Sequence, residues 1–370
     1  MVTGASGFLG WHLRCALRAR GKDQVVAIDR GIMADPARFE LAVSGCDAVF
    51  HLAGVNRAPS DDRLSDNVEL AKRVTDVLDR MKERPVVVYA NSIQAGNPSA
   101  FGKTKQLAAD HLTAWGRSAG AVVIDVRLPN LFGEHGKPHY NSVVATFCHE
   151  LAHGGKPTIV HDREIPFLHV QDAVDQMLGL ANKGAAGVFE LGGSPMVVSA
   201  LMTKLTAFHD LYLTGQVPDI GSPFDRALFN TYRSFCFPDH YPIYPTLRSD
   251  ERGDLYESVQ SHGGRSLVFC STSRPGVTRG EHFHLRKVER FLVLRGRAVI
   301  ALRRLFDDAI IRFPVEGGTP AIVDMPTMWV HSITNVGEEE LLTLFWADEM
   351  LDPERPDTYA ERVELAKVAA

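Results

Sequence analysis

Hydrophobic positions in the first half of this chain fall into short continuous runs, separated by segments with a helical repeat. The runs at 25–28, 86–89 and 122–126 are rich in β-branched residues and read as strands buried on both faces. A further apolar run, 48–54, ends on Gly54. Residues 11–20 form a helical stretch, and Leu70, Val74, Val77, Leu78 and Met81 share one stripe of an amphipathic helix. Val143, Val144, Phe147 and Leu151 mark another. Strands alternating with helices predict a parallel, doubly wound α/β sheet. In the last third the period changes: 290–296 alternates and stops at Gly296, as a strand entering a turn does. Between the two regimes, 214–245 is rich in Pro, Gly and aromatic residues, and Phe237-Pro-Asp-His-Tyr-Pro242-Ile-Tyr-Pro245 reads as a hinge. The expected organisation is two domains, 1–245 and 246–370, because 370 residues exceed what one core serves.

Composition narrows the class. Apolar residues at 45% and charged residues at 23% are globular values. A net charge of -5 without a basic stripe argues against a nucleic-acid partner. No apolar run has membrane-spanning length, and no basic segment followed by an apolar stretch opens the chain. Cys15, Cys46, Cys148, Cys236 and Cys270 are odd in number and widely spaced, which fits a reduced cytoplasmic protein.

Met1-Val-Thr-Gly4-Ala-Ser6-Gly7-Phe8-Leu9-Gly10 precedes the first helical stretch. Glycines there let backbone N–H groups approach a pyrophosphate at a helix N-terminus. The Gly-x2-Gly-x2-Gly spacing is similar to that of the short-chain dehydrogenase/reductases, a Rossmann-like fold. Leu52, Ala53 and Gly54 could line the adenine side. Asp29 would accept from an adenine-ribose 2′-OH and favours NADH, whereas Arg30 could pair with a 2′-phosphate and favours NADPH. Both choices stay open. Only three residues precede Gly4, so the first strand is expected to start upstream or to leave the sheet short at the end away from the cofactor.

A short-chain reductase uses Tyr-x3-Lys and an upstream Ser. Ser92 follows the strand at 86–89, and Lys105 lies on the next helix, but the tyrosine position is Phe101. Phenylalanine has no proton to donate, and general acid catalysis is worth about 10² to 10⁴ in rate. The site is therefore either a cradle without chemistry or a slow reductase with another donor. Asn130 in Arg127-Leu-Pro-Asn130-Leu-Phe-Gly133 and His169 in Phe167-Leu-His169 lie where extended members of this group enclose a nucleotide sugar, as does the stretch 189–193.

The last third carries Gly276-x5-His282-x-His284-x4-Glu289-x6-Gly296 and Pro326-x4-His331-x3-Asn335. His282 and His284 are two apart, so one strand face holds both. Three imidazoles and one carboxylate suit a first-row divalent metal, with zinc, iron, manganese and nickel all open. The double motif resembles that of the all-β cupin barrel, with Met328 where the second motif usually has glycine. Asn335 reads as a turn residue or one that supports the ligands from behind, not as a ligand. His149-Glu150-x2-His153 matches a zinc-protease pattern, but Gly154-Gly155 follows at once and a solvated helix end explains it.

The order of a short-chain reductase domain and then a cupin resembles the bifunctional CapF-type capsular polysaccharide enzymes. The stretches that carry the resemblance are His51-Leu-Ala-Gly-Val-Asn-Arg57, Pro129-Asn-Leu-Phe-Gly133, Tyr140-Asn141-Ser-Val-Val-Ala-Thr-Phe147, Asp250-Glu-Arg-Gly253 and Asp352-Pro-x2-Pro-Asp-Thr-Tyr359. It implies that the cupin half, carrying zinc, epimerises C3 of a UDP-2-acetamido-2,6-dideoxy-4-hexulose. The N-terminal half then reduces the C4 ketone with NADPH in a homodimer. Asn130, Asn141 and His169 would contact this UDP-amino-sugar. Lys287, Tyr256 and the remaining histidines are candidates for the acid or base of the epimerisation. Two other readings remain: a metal-dependent cupin oxygenase or isomerase with a non-catalytic nucleotide-binding domain, and a sensor of NAD(P) and nucleotide sugar without turnover.

Overall fold

Six parallel strands build the first sheet in the order Ala27–Ile28, Val2–Thr3, Ala48–His51, Val86–Ser92, Val123–Leu128, Gly187–Glu190. In this computed structural model, which describes residues 1–56, 66–350 and 352–365, two apolar layers flank that sheet. Val49, Val87, Tyr89 and Val123 meet the helices Pro36–Val43, Asp66–Met81 and Ala100–Ala119 on one side. Val2, Phe50, Val88, Ile124 and Val126 meet the helices Phe8–Arg20 and Val170–Lys183 on the other. Burial on both faces is why these strands read as unbroken valine-rich runs. The first strand is central, as expected, yet only two residues long. The 25–28 run pairs only at Ala27–Ile28. Chain order reverses between Val2–Thr3 and Ala48–His51, and the crevice of a doubly wound sheet opens at such a switch point. Asn130–Phe132, Glu164–His169 and Ser194–Val197 form a separate small sheet.

The second unit is β-rich. Leu267–Ser273, Leu341–Ala347, Glu289–Arg295 and Ile322–Met325 form one antiparallel sheet. Ile310–Glu316, Arg297–Arg304, Trp329–Asn335, Thr278–Phe283 and Tyr359–Ala360 form the other. Among the described residues no pairing closes the two sheets into a barrel.

The compact units do not divide at 245/246. Gly133–His139, Val143–Asp162 and Val197–Ala370 make up the β-rich unit, and the rest is the α/β unit. The β-rich unit is therefore not all-β, because it includes the helices Val143–Ala152, Val198–Tyr212 and Pro223–Cys236. The last lies in the stretch whose composition suggested a hinge. Ser222 accepts the Asp225 N–H at 3.0 Å and Pro223 opens the first turn, so a capped helix forms there.

A buried ion pair ties these helices to the sheet. Arg290 Nε donates to Asp324 Oδ1 at 2.7 Å and Nη2 to Oδ2 at 3.0 Å, with both side chains sealed from solvent. Tyr212 donates to Asp324 at 2.8 Å, and Arg290 Nη1 donates to the Gly215 carbonyl at 2.7 Å. Burial would raise the Asp324 carboxyl, but Arg290, with Arg233 and the Tyr212 hydroxyl, outweighs it and holds the group below its ordinary value. Removing one partner leaves an uncompensated buried charge, which costs about 3–5 kcal/mol. Asp324→Ala should lower unfolding free energy by that amount in urea titrations. A paired apolar replacement of Arg290 and Asp324 should cost less, because no lone charge remains.

Candidate functional sites in the two units

The helix Phe8–Arg20 begins at Gly7 with no side chain capping it, so its first N–H groups are presented bare. Gly4 has φ +66, and a Cβ there would lie 2.8 Å from Ala53 N. A Cβ on Gly10 would lie 2.2 Å from the Gly4 carbonyl oxygen. The glycine loop and the 52–54 loop are thus in backbone contact at the switch point, and only glycine fits. Ser6 is exposed, and Phe8, Leu9, Leu52 and Ala53 are half-buried around this crevice. Asp29 sits one residue beyond the second strand and caps the short helix Arg30–Ala34, accepting from Ile32 N at 2.7 Å. Arg30 is exposed beside it. This geometry suits a dinucleotide pyrophosphate and does not choose between the two cofactors. Arg57 lies outside the described residues.

Lys105 and Phe101 are one turn apart on Ala100–Ala119, which Ser99 caps through Gly102 N at 3.0 Å. The Lys105 ammonium is buried. It donates to the Ala90 carbonyl at 2.6 Å and lies 4.4 Å from the centre of the Tyr89 ring. Burial pushes its pKa down to about 8, against the charge of Asp125. A Cβ on Gly54 would stand 3.9 Å from its Nζ, so this lysine meets the same crevice. Ser92 ends its strand with a hydroxyl that accepts from Gln94 N at 3.2 Å, leaving its proton free to donate. Phe101 is half-buried. Asn130 and Asn141 are exposed, while His169 is buried at the start of Val170–Lys183, 5.3 Å from the Phe132 ring.

In the β-rich unit the four motif residues converge. Glu289 Oε2 lies 3.1 Å from His284 Nε2, 3.2 Å from His331 Nε2 and 3.9 Å from His282 Nε2. The donor atoms all fall within 4.8 Å of one another. A bulge makes this possible. Gly280 pairs with Ser332 and His282 with His331, leaving Glu281 as the extra residue at φ +58. A Cβ on Gly280 would be 2.8 Å from the His331 carbonyl.

The ring orientations fit a cation. His284 Nδ1 meets the Asp357 carbonyl at 2.6 Å and His331 Nδ1 the Trp329 carbonyl at 3.2 Å. If each Nδ1 carries its proton, each Nε2 aims a lone pair at the carboxylate. Such a pair of acceptors at hydrogen-bond distance needs a positive charge between them. Ligand bonds of about 2.0–2.1 Å to a tetrahedral centre put donor atoms roughly 3.3 Å apart, close to the separations of Glu289 from His284 and His331. Burial pushes His331 down to about 4. It would raise Glu289, but the three imidazoles hold that carboxyl well below its ordinary value.

Met328, at the position where the motif usually has glycine, has φ +62 and is fully buried. Its N–H donates to the His284 carbonyl at 2.7 Å. The turn keeps the glycine conformation with a non-glycine residue, which costs about 1–2 kcal/mol. Asn335 braces its turn through the Ser273 and Glu339 carbonyls. Lys287 donates to the Pro356 carbonyl at 2.9 Å and Thr358 at 3.2 Å, so its ammonium is committed to the C-terminal tail. Tyr256 is half-buried in a cleft with Arg248 and Glu257. His153 closes its helix end by bonding the His149 carbonyl at 2.8 Å, and Glu150 pairs with His139 at 3.3 Å, as a solvated helix end does.

Two features were missed in the sequence. Asp357 accepts from the N–H groups of Leu285, Arg286 and Lys287 at 2.8–3.0 Å and so shapes the loop between His284 and Glu289. Its only signal was its place in the 352–359 stretch that carries the family resemblance, which gave it no role of its own. Asp125 is a buried charge inside the valine-rich run 122–126, a local conflict visible in the letters.

A nucleotide-binding α/β unit joined to a β-rich unit with a histidine–carboxylate centre is a definite class. Residues 1–192 match the NAD dependent epimerase/dehydratase family, and 248–359 match the polysaccharide biosynthesis C-terminal domain. A UDP-2-acetamido-2,6-beta-L-arabino-hexul-4-ose reductase of Pseudomonas aeruginosa is 33% identical over 365 residues, 97% of either chain. The crystal structure of the capsular polysaccharide assembling protein CapF from Staphylococcus aureus is 30% identical, covers 98% of this chain and 99% of its own, and superposes with a TM-score of 0.62. A structure of CapF with the inhibitor 3-isopropenyl-tropolone is 29% identical over 98% and 99%, with a TM-score of 0.59. The chain belongs to the family of CapF-type capsular polysaccharide enzymes.

Gly10→Ala tests the backbone contact in the nucleotide loop. With a Cβ placed 2.2 Å from a carbonyl oxygen, the loop must open, and overpacking of this kind costs about 1–3 kcal/mol. Thermal melts should show a lowered first transition, and binding of reduced nicotinamide cofactor, followed by fluorescence, should be lost or strongly weakened.

Proposed function

We propose that this chain is a nucleotide-sugar epimerase/reductase of capsular or surface polysaccharide biosynthesis, acting as a cytoplasmic homodimer. The observation that carries the reading is likeness to the P. aeruginosa reductase along 97% of both chains. The substrate is a UDP-2-acetamido-2,6-dideoxy-4-hexulose. The β-rich unit, of cupin type, inverts C3, and the α/β unit reduces the C4 ketone with NADPH or NADH.

For the first step, His282, His284, Glu289 and His331 would hold a divalent metal, zinc being the family's choice. When bound, such an ion supplies Lewis-acid stabilisation of charge on the ketone oxygen. The chain's own part is orientation: Asp357 and the Trp329 carbonyl fix two imidazoles, and the Gly280–Glu281 bulge aims His282. For the second step, Gly4, Gly7 and Gly10 admit the pyrophosphate, with Asp29 or Arg30 at the adenine ribose. Lys105 would hold the nicotinamide ribose, and the Ser92 hydroxyl would donate to the ketone. Asn130, Asn141 and His169 would line the sugar. Phe101 leaves the alkoxide without the usual acid.

Purified protein should contain about one divalent metal per chain by elemental analysis. His282→Ala combined with His331→Ala should abolish it, together with solvent proton exchange at C3 of the 4-keto sugar followed by NMR in D2O. Metal content that survives the double substitution sinks the ligand assignment.

Phe101 favours a second reading, in which the α/β unit binds cofactor without turnover. Cofactor oxidation with the 4-keto sugar is expected to be very slow, and Phe101→Tyr should raise it by roughly two to four orders of magnitude. A fast wild type means another group supplies the proton. An inert variant that still binds cofactor establishes the non-catalytic reading.

A further inference from the structure

A row of polar side chains crosses the core of the α/β sheet. Thr3, His51, Tyr89 and Asp125 are successive Cα partners on four adjacent parallel strands. In a parallel sheet that register puts their side chains on one face. It is the face covered by Ala100–Ala119, the helix that carries Lys105. Asn91 and Arg127 form the next rung on the same face. Thr3 Oγ1 bonds His51 Nδ1 at 2.8 Å, and the His51 ring stacks on Tyr89 at 5.5 Å. Several other polar atoms of the row make no hydrogen bond among the described residues: His51 Nε2, the Tyr89 hydroxyl, Asn91 Nδ2, Asp125 Oδ1 and Arg127 Nε are all buried without one. Thr3, His51, Tyr89, Asn91 and Asp125 are at most 3% exposed. Buried polar atoms clustered in this way are ordinarily bridged by internal water.

We infer that Asp125 is a positioning residue for the nicotinamide end of the α/β unit, its carboxylate holding the Lys105 ammonium from the sheet and the Ser92 turn through Asn91. Lys105 lies over the Tyr89 ring, whose strand neighbour is Asp125. The Asn91 carbonyl oxygen accepts from Ser92 N at 2.9 Å, and its amide faces the Asp125 carboxylate. Asp125 is the anion acting on Lys105 from the sheet. Burial raises its carboxyl, opposed by Asn91, Arg127 and Lys105 and reinforced by Asp110 from the helix. His51, pushed down to about 3 by burial with help from Lys105, stays neutral, and Tyr89 is pushed up by burial and Asp125 and stays neutral. Arg127 lies 3.9 Å from Asp125 and donates to Gln106 at 3.2 Å, which leads the row toward the surface. Removing the Asp125 charge therefore withdraws the influence that opposes burial at Lys105, and the lysine should lose its proton at a lower pH.

The inference rests on the cofactor reading above, and the test separates the two. Full-length protein labelled at lysine Cε is titrated by NMR, the Lys105 signal being the one absent from Lys105→Met. The wild-type signal should titrate near pH 8. In Asp125→Asn the midpoint should fall by about one pH unit or more. Between the two midpoints, cofactor affinity of Asp125→Asn should drop up to about tenfold per pH unit, with melting temperature as the control for folding. An unmoved Lys105 midpoint in folded Asp125→Asn overturns the inference. Should that variant not fold, an unmoved midpoint in folded Asp125→Ser overturns it equally. If the wild type binds neither NADH nor NADPH, the cofactor reading fails while the lysine titration still decides the role of Asp125.

Discussion

The ion pair between Arg290 and Asp324 is the constraint on which the β-rich unit turns. Arg290 follows Glu289 on one strand, so the pleat sends one side chain to the histidine cluster and the next to the helices. The partner strand carries Asp324, and its cross-strand register with Arg290 leaves no freedom to slide by one residue. A slip would exchange the two faces, taking Glu289 from the imidazoles and turning the guanidinium toward them. Tyr212 and the Gly215 carbonyl extend the pair to the helix Val198–Tyr212 and the turn after it. A salt bridge this deeply buried is weak evidence for stability in itself. Its value here is register, and register is what aims the carboxylate.

The α/β unit solves a different problem with the same economy of backbone. Its crevice needs two loops to touch at the switch point, and the touch is made by glycine against main chain at Gly4 and Gly10. Behind that contact the sheet core is not uniformly apolar. A line of threonine, histidine, tyrosine and aspartate passes under the one buried lysine of the site. Apolar side chains would pack this space more simply. A polar row retained against the desolvation penalty is what a site needs when charge, and not only shape, must be held in place.

Much of this was legible in the letters. Continuous valine-rich runs gave the parallel strands because burial on both faces erases alternation. The spacing of His282, His284, Glu289 and His331 gave the cluster because ligand spacing reflects strand geometry. The helix Pro223–Cys236 was hidden by composition, since flanking prolines and aromatics outvoted the capping signal at Ser222. The bulge at Glu281 was hidden because positive φ at a non-glycine residue leaves no mark in sequence. Asp357 was hidden for a further reason: it shapes a loop some 70 positions away in the chain, and no local pattern encodes such a contact. The compact units interleave on both sides of the expected 245/246 boundary because contacts, not hinge-like composition, decide where a compact body ends.

The interleaving of the two units along the chain has a consequence for how the protein is made. The helix Val143–Ala152 belongs to the β-rich unit but is synthesised before the helices it packs against and well before any strand of the two large antiparallel sheets. Its apolar face, with Val144, Phe147, Cys148 and Leu151, must wait on the ribosome for partners still unmade. At about 5–20 residues per second that wait lasts several seconds or more. The α/β unit is complete in the chain at Met196, whereas this inserted helix is left over until the β-rich unit is made. A nascent segment with a greasy face and no neighbour is the kind that chaperones recognise, so yield in heterologous expression should depend on chaperone supply more than the final stability of either unit suggests.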